Sequence, residues 1–370
     1  MSEPDEDFFA GKRPWSIIKD QVLQSYMTPY IAKVNKRGNP ILLIDGYAGP
    51  GIFGDGTVGS PPIMCQAAEK YAKGNYLAIF INKDQKYHEI LSQEIQRAGW
   101  SGSVETILGD STILLQKLPN RLSNWTVFLY LDPFGLKGCE FSLLKPFLDR
   151  NPVFSTEILL TMNMPIVHRL AARHVDEDRR QNDQKIKSYH NRLTKVFGGE
   201  YWKEIMWQKA GSAEERERQL IGAYQAKLAQ YLPYTGSCPV REGTNRRIKY
   251  FIVFASRHPD AMLLLNDIMT TAYFNRMHQA SYAGTLFEDT DWRETRSTNG
   301  LQNIIINTVA EHPGETRKAN WFRIVQNYFM LYLHTEYLNV TQRLIDEKKL
   351  VSPTPRTTKR LNDDCVLYLP

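Results

Sequence analysis

Between residues 41 and 163 five short apolar runs recur, each followed by a segment of helical composition. The runs are ILLID (41–45), YLAIFI (76–81), VETILG (104–109), TVFLYLD (126–132) and EILLTMN (157–163). ILLID is a short, continuous apolar run, as expected of a strand buried on both sheet faces. Helical segments such as SPPIMCQAAEKYA and QKYHEILSQEIQRAG (85–99) lie between the runs, and strands alternating with helices predict a parallel, helix-covered α/β sheet. Residues 14–34 read as a leading helix, with Ile18, Val22, Tyr26 and Tyr30 on one face. YFIVFAS (250–256) and PDAMLLLNDIM resume the strand–helix pattern.

A chain of 370 residues suggests at least two domains. From about 165 to 245 charged, helical sequence interrupts the strands, including RLAARHVDEDRRQNDQKIKSYHNRLTKVFG, and reads as a helical insertion. Its basic residues either line a substrate cleft or form a solvated helix face. His168 and His174 in this region are placed to touch phosphate or to have no role. Residues 281–300 are polar and read as a linker. Beyond them three helices precede two short strands around a basic loop, the pattern of a winged helix. Its recognition helix would carry Gln342, Arg343 and Lys349. The expected boundaries are thus 1–280, 281–300 and 301–370.

The longest apolar runs fall far short of the roughly 20 residues of a membrane span. The N-terminus has no apolar core of a secretory signal, and no membrane partner is expected. Cys65, Cys139, Cys238 and Cys365 are scattered without metal-ligand spacing, which reads as reduced thiols of a cytoplasmic protein. Cys139 lies near a suspected site, either as a buried thiol or as a nucleophile. The net charge of +6 permits nucleic-acid binding without requiring it.

The first strand runs into LLIDGYAGPGIFGDG (42–56), where Gly46, Gly49, Gly51, Gly54 and Gly56 crowd together. A phosphate-binding P-loop needs a Lys that is missing here. A dinucleotide fold wants G-x-G-x-x-G opening directly into a helix, and Gly54 is followed by further turn residues. The spacing Asp45, Gly49, Gly51 fits D-x-x-x-G-x-G, as in S-adenosylmethionine-dependent methyltransferases. Glycine lets the backbone lie against a ligand, and Asp45 would sit near the cofactor's ammonium group. A tight turn with no ligand has the same sequence.

Other strand ends add candidates. The second strand leads into Asn82 and Asp84, where a ribose-gripping carboxylate is expected and Asn82 stands in its place. LGDS ends the third strand, with Asp110 placed for an adenine amine and Ser111 as a helix cap. YLDPFG ends the fourth, bringing Asp132, Pro133 and Phe134 to the position where amino-methyltransferases hold a planar amine and stack an aromatic ring. Ligands of open α/β sheets bind at these carboxyl ends.

LLIDGYAGPG, GSP, F-x-N-K-D, LDPFGLKG and YFIVFASRHPDAMLLLNDIM together resemble the three-Cys-motif partner family of bacterial and phage-associated proteins. The resemblance implies a Rossmann-like methyltransferase sheet with a C-terminal winged-helix-like domain. It also implies Asp45, Gly49 and Gly51 as the cofactor turn and Asp132, Pro133 and Phe134 as the loop at the catalytic face. A neighbouring protein similar to radical S-adenosylmethionine enzymes would be the partner. The function expected is methyl transfer from S-adenosylmethionine to an amine of a DNA or RNA base. The alternative is a non-catalytic fold that binds nucleic acid or the partner protein. A nucleotide hydrolase would instead gather Asp45, Asp84, Asp110 and Asp132 around a cation.

Overall fold

The computed structural model describes residues 16–100, 102–118, 124–173, 180–244, 246–285, 290–353 and 362–370. The chain divides after His258 into two compact units.

The first unit begins with α1 (Ser16–Asn35), β1 (Ile41–Asp45), α2 (Ser60–Tyr71), β2 (Tyr76–Asn82), α3 (Gln85–Ala98) and β3 (Ser103–Leu108). It continues through α4 (Ser111–Lys117), β4 (Thr126–Leu131), α5 (Phe141–Leu148) and β5 (Thr156–Asn163). Four helices follow, α6 (Met164–Leu170), α7 (Arg180–Phe197), α8 (Tyr201–Trp207) and α9 (Ala213–Ala229), and then β6 (Tyr234–Arg241) and β7 (Ile248–Ser256). The strands form one sheet in the order β3-β2-β1-β4-β5-β7-β6. The fold is α/β and Rossmann-like.

β1 lies between two parallel neighbours, with Asp45 opposite Phe80 of β2 and Tyr130 of β4. The chain winds outward from β1 through β2 to β3, then crosses back to β4 on the other side. Neighbouring connections therefore diverge between β1 and β4, and a crevice opens at such a point above the carboxyl ends of the strands.

The sheet is mixed rather than wholly parallel, because β7 runs antiparallel to both β5 and β6. β6 also corrects the reading of 165–245 as a wholly helical insertion. Its sequence, YTGSCPVR, carries Gly236 and Pro239, which hide it from a propensity reading. Proline is tolerated because β6 is an edge strand, with a pairing partner on one side.

Packing explains the rest of the insertion. Leu193, Val196 and Phe197 of α7, Trp202 of α8 and Leu220 and Tyr224 of α9 are buried in one core with Leu129 and Leu131 of β4 and Phe141 of α5. Each fully buried large apolar side chain contributes about 1.5–3 kcal/mol. The helices of the insertion thus cover the sheet, with exposed charges such as Lys187 and Lys195 on the outer side of α7 and Glu217 of α9 buried.

The second unit holds α10 (Pro259–Tyr282), α11 (Trp292–Thr295), α12 (Leu301–Glu311), α13 (Arg317–Asn327) and α14 (His334–Asp346). α10, which the sequence pattern assigned to the sheet, belongs to this unit. The expected linker contributes to structure here, since the ring of Trp292 stacks on Phe274 of α10 at 5.0 Å. Where two paired strands were expected, one isolated antiparallel bridge joins Val351 to Tyr368, and another joins Val366 to Thr316 ahead of α13. Most of the basic loop between them, residues 354–361, lies outside the described residues, as does His174. Gln342 and Arg343 lie on α14, and Lys349 follows its end. Buried Arg317 donates to the Asn362 carbonyl at 3.0 Å and pairs with Asp363, tying α13 to the C-terminal segment.

Candidate cofactor and substrate site

Asp45 ends β1 with no exposure to solvent. The Ser60 hydroxyl donates to its Oδ2 at 2.6 Å, and the Tyr47 backbone N–H donates to its Oδ1 at 2.9 Å. Burial pushes the carboxyl up to about 7. The two hydrogen bonds oppose that shift, while the Asp132 and Asp20 carboxylates add to it. A cation arriving beside Asp45 would favour its charged form.

Two glycines of the turn answer to packing and backbone geometry. Gly46 donates to the Tyr130 carbonyl at 3.0 Å, and a Cβ there would stand 2.6 Å from Leu131 Cδ2. Gly51 has φ +85°, in the left-handed region, and its carbonyl accepts from the Gly59 N–H at 2.7 Å. A Cβ on Gly51 would fall 2.9 Å from Leu91 Cδ1. The Gly49 carbonyl accepts from Asn82 Nδ2 at 3.4 Å, so the turn is pinned to the end of β2.

Asn82 is buried, and its Oδ1 accepts from the Asp84 N–H at 3.0 Å. Both ends of the amide are thus held within the protein. Asp84 caps α3 by accepting from the Tyr87 N–H at 3.1 Å. Asp110 caps α4 through Thr112, and its other oxygen accepts from Lys137 Nζ at 2.6 Å. The Lys137 hydrogen bond, with the one from the Thr112 hydroxyl, lowers the Asp110 carboxyl to about 2. Ser111 was expected to cap that helix, but Asp110 does so. The Ser111 hydroxyl donates instead to the Gly46 carbonyl, fixing the start of α4 to the β1 turn.

At the end of β4, Asp132 forms an ion pair with Lys19 of α1, and the Thr161 hydroxyl of β5 donates to its Oδ1 at 2.6 Å. The Lys19 ammonium also lies 5.3 Å from the Tyr250 ring centroid, within cation–π range. Pro133 is buried, whereas Phe134 is 56% exposed. Phe134 lies two residues beyond Asp132 in the loop that follows β4.

The four strand-end aspartates do not share one environment: two cap helices, one is paired with Lys19 and one is buried. Among the described residues no group of three or more His, Cys, Asp or Glu side chains is placed to hold a metal ion. Cys139 is fully buried and donates to the Thr161 carbonyl at 3.6 Å. Burial raises its thiol well above the usual range, which removes the nucleophile reading. His168 lies on α6 with its Nε2 2.6 Å from Oε1 of buried Glu217.

Sequence reasoning missed Lys19, Thr161 and Tyr47 as parts of this site. Lys19 and Thr161 act through side chains far from Asp132 in the chain, and neither lies in a motif. Tyr47 sits inside the glycine stretch, but its packing against the loop after β4 has no sequence signal.

No family model matches the chain, and no curated protein does. Solved structures do. Protein LPL1258 from Legionella pneumophila is 9% identical over 70% of this chain and 92% of its own, with TM-score 0.41. A methyltransferase from Geobacter sulfurreducens is 14% identical over 44% of this chain and 82% of its own, with TM-score 0.24. Geranyl diphosphate C-methyltransferase from Streptomyces coelicolor, in complex with Mg2+, geranyl diphosphate and S-adenosyl-L-homocysteine, is 10% identical over 59% of this chain and 71% of its own, with TM-score 0.26. Among the described residues no helix is long and apolar enough to cross a membrane.

Proposed function

We propose that the chain is an S-adenosylmethionine-dependent methyltransferase acting on an amine of a nucleic-acid base. One juxtaposition carries the reading: buried Asp45 and the pair Asp132–Phe134 end the adjacent strands β1 and β4, where the sheet's connections diverge. The donor set suits the cofactor. Asp45 supplies a carboxylate toward an ammonium group, and the Gly49–Gly51 turn supplies backbone. Asn82 and Asp110 lie at the ends of the next two strands for ribose and adenine.

The cofactor supplies a methyl group already activated on a sulfonium, so positioning accounts for most of the rate gain. Asp132, held by Lys19 and Thr161, accepts a hydrogen bond from the amine and aims its lone pair. Phe134 stacks on the base, which has to leave a duplex to reach it. Pro133 keeps the loop in one shape between them.

Calorimetric titration with S-adenosylmethionine and S-adenosylhomocysteine tests the cofactor half. Micromolar binding that Asp45→Ala abolishes supports it, and no binding up to millimolar overturns it. Transfer of labelled methyl to RNA or DNA tests the other half. Phe134→Ala, at an exposed position, should cut transfer and leave cofactor binding intact.

One observation favours a second reading, a non-catalytic fold that binds nucleic acid or a partner protein such as the three-Cys-motif protein. Asn82 replaces the ribose carboxylate, and its amide is committed to Gly49 and Asp84. A protein without cofactor affinity that still binds nucleic acid in a salt-sensitive way would fit it. The winged-helix reading of the second unit would then supply a further contact through α14.

A further inference from the structure

A groove of about 640 Å³ opens between α7 and the loop that follows β4. Lys137 and Glu140 line one wall, and Lys187, Asn191, Arg192 and Lys195 line the other. On α7, Lys187, Asn191 and Lys195 are exposed at successive helical turns, so they form one stripe along the groove. Lys137, Lys187, Arg192 and Lys195 line the groove with one carboxylate, Glu140; Lys137 is already paired with Asp110, and Glu140 is partly engaged by the Gly138 N–H at 2.5 Å. The opposite face of the same helix is the one that buries Leu193, Val196 and Phe197. The stripe is therefore held on a rigid element.

The position of the groove matters as much as its charge. Lys137 is three residues beyond Phe134, at most about 11 Å of extended chain. It also bonds to Asp110 at the end of β3. Lys137, in the loop after β4, thus joins one wall of the groove to Asp110 at the end of β3, and the exposed Phe134 belongs to the same loop.

We propose that this groove binds the backbone phosphates of a single-stranded nucleic-acid segment flanking the base that Phe134 stacks on. Cations spaced along a helix beside an exposed aromatic ring match a polymer of phosphates and planar bases. An acidic peptide would use the charges and leave the ring idle. The inference deepens the proposed function and rests on it only for the target base.

Fluorescence anisotropy of a labelled, mixed-sequence single-stranded RNA or DNA on the full chain reads the groove directly. Lys187→Ala/Lys195→Ala should weaken binding about tenfold at 0.15 M salt, and reduce the slope of log affinity against log salt by roughly 1.4, about 0.7 per lost phosphate contact. Lys36→Ala, at an exposed lysine just past α1, should change neither. The proposal is overturned if the double variant binds like the parent, or if polyglutamate competes as well as an oligonucleotide does. S-adenosylmethionine titration of the same variants separates the two readings. Groove-dependent binding without cofactor affinity removes the methyltransferase and leaves the groove; cofactor affinity with groove-independent binding does the reverse.

Discussion

The phenol of Tyr47 occupies the space directly over Gly138, so that a Cβ on Gly138 would overlap the Tyr47 hydroxyl. Gly138 also has φ +97°, in the left-handed region where other residues are strained. The turn after β1 and the loop after β4 are thus fitted to one another through a missing side chain. Gly138→Ala should displace Tyr47, cost about 1–3 kcal/mol and weaken S-adenosylmethionine binding. Adding Tyr47→Phe should recover part of both losses, because it removes the overlapping oxygen. Thermal melts and calorimetry on the single and double variants measure that coupling.

Asp45 ties affinity to pH. Its carboxyl is raised to about 7 mainly by burial, so the anion that attracts an ammonium group is lost as pH falls through 7. Cofactor affinity should weaken between pH 8 and pH 6, and Asp45→Asn should flatten that dependence. The same shift acts on stability with a defined sign. The folded state binds the proton more tightly than the unfolded state, so stability falls as pH rises from about 4 to 7. Asp45→Asn should therefore melt no lower than the parent at pH 8 while binding cofactor less well.

Lys19→Met should leave the Asp132 carboxylate with Thr161 and without its cation. The pair is partly exposed, at 16% and 24%, so solvent moderates the cost. A loss of about 1–2 kcal/mol is expected. Methyl transfer should fall further than stability accounts for, because the acceptor's orientation is lost. Single-turnover rates compared with denaturant melts separate the two effects.

Glu157 offers a control away from the site. It lies near the amino end of β5, where Tyr26 and Ser256 donate to it, Ser256 at 3.1 Å. Burial raises its carboxyl to about 7, against the hydrogen bonds from Tyr26 and Ser256. Stability contributed by the protonated form is lost as pH rises from 4.5 to 7, roughly 3 kcal/mol at most. Glu157→Gln accepts from one hydroxyl and, like the protonated carboxyl, donates to the other, so it should raise the melting temperature at pH 8 more than at pH 5. Equal shifts at both pH values would contradict the raised carboxyl.

The strands were legible where burial on both faces left an uninterrupted apolar run. β1 and β4 are buried at every residue and were read with bounds that differ by no more than one residue. β6 was not legible, because an edge strand tolerates Gly236 and Pro239 and shows no such run. The same limit applied at the site. Asp84 and Asp110 were placed correctly at strand ends, but a strand end is also a helix start, and both carboxylates cap the helix that follows. Lys19 gave no signal: on an amphipathic helix a lysine that reaches Asp132, 113 residues away, looks like one that faces water.

The order of the strands also governs how the chain can assemble during synthesis. β1 gains its second neighbour only when β4 has been made, through Leu131. β5 then waits, with one side open, until β7 arrives at Ile248–Ser256. In that interval the ribosome makes α6 to α9 and β6. The apolar residues of α7 to α9 pack on the same core as β4 and β5, so these helices can shield the nascent sheet before its last pairing forms. A chain stalled before β7 would leave one side of β5 open, the kind of edge that recruits other chains.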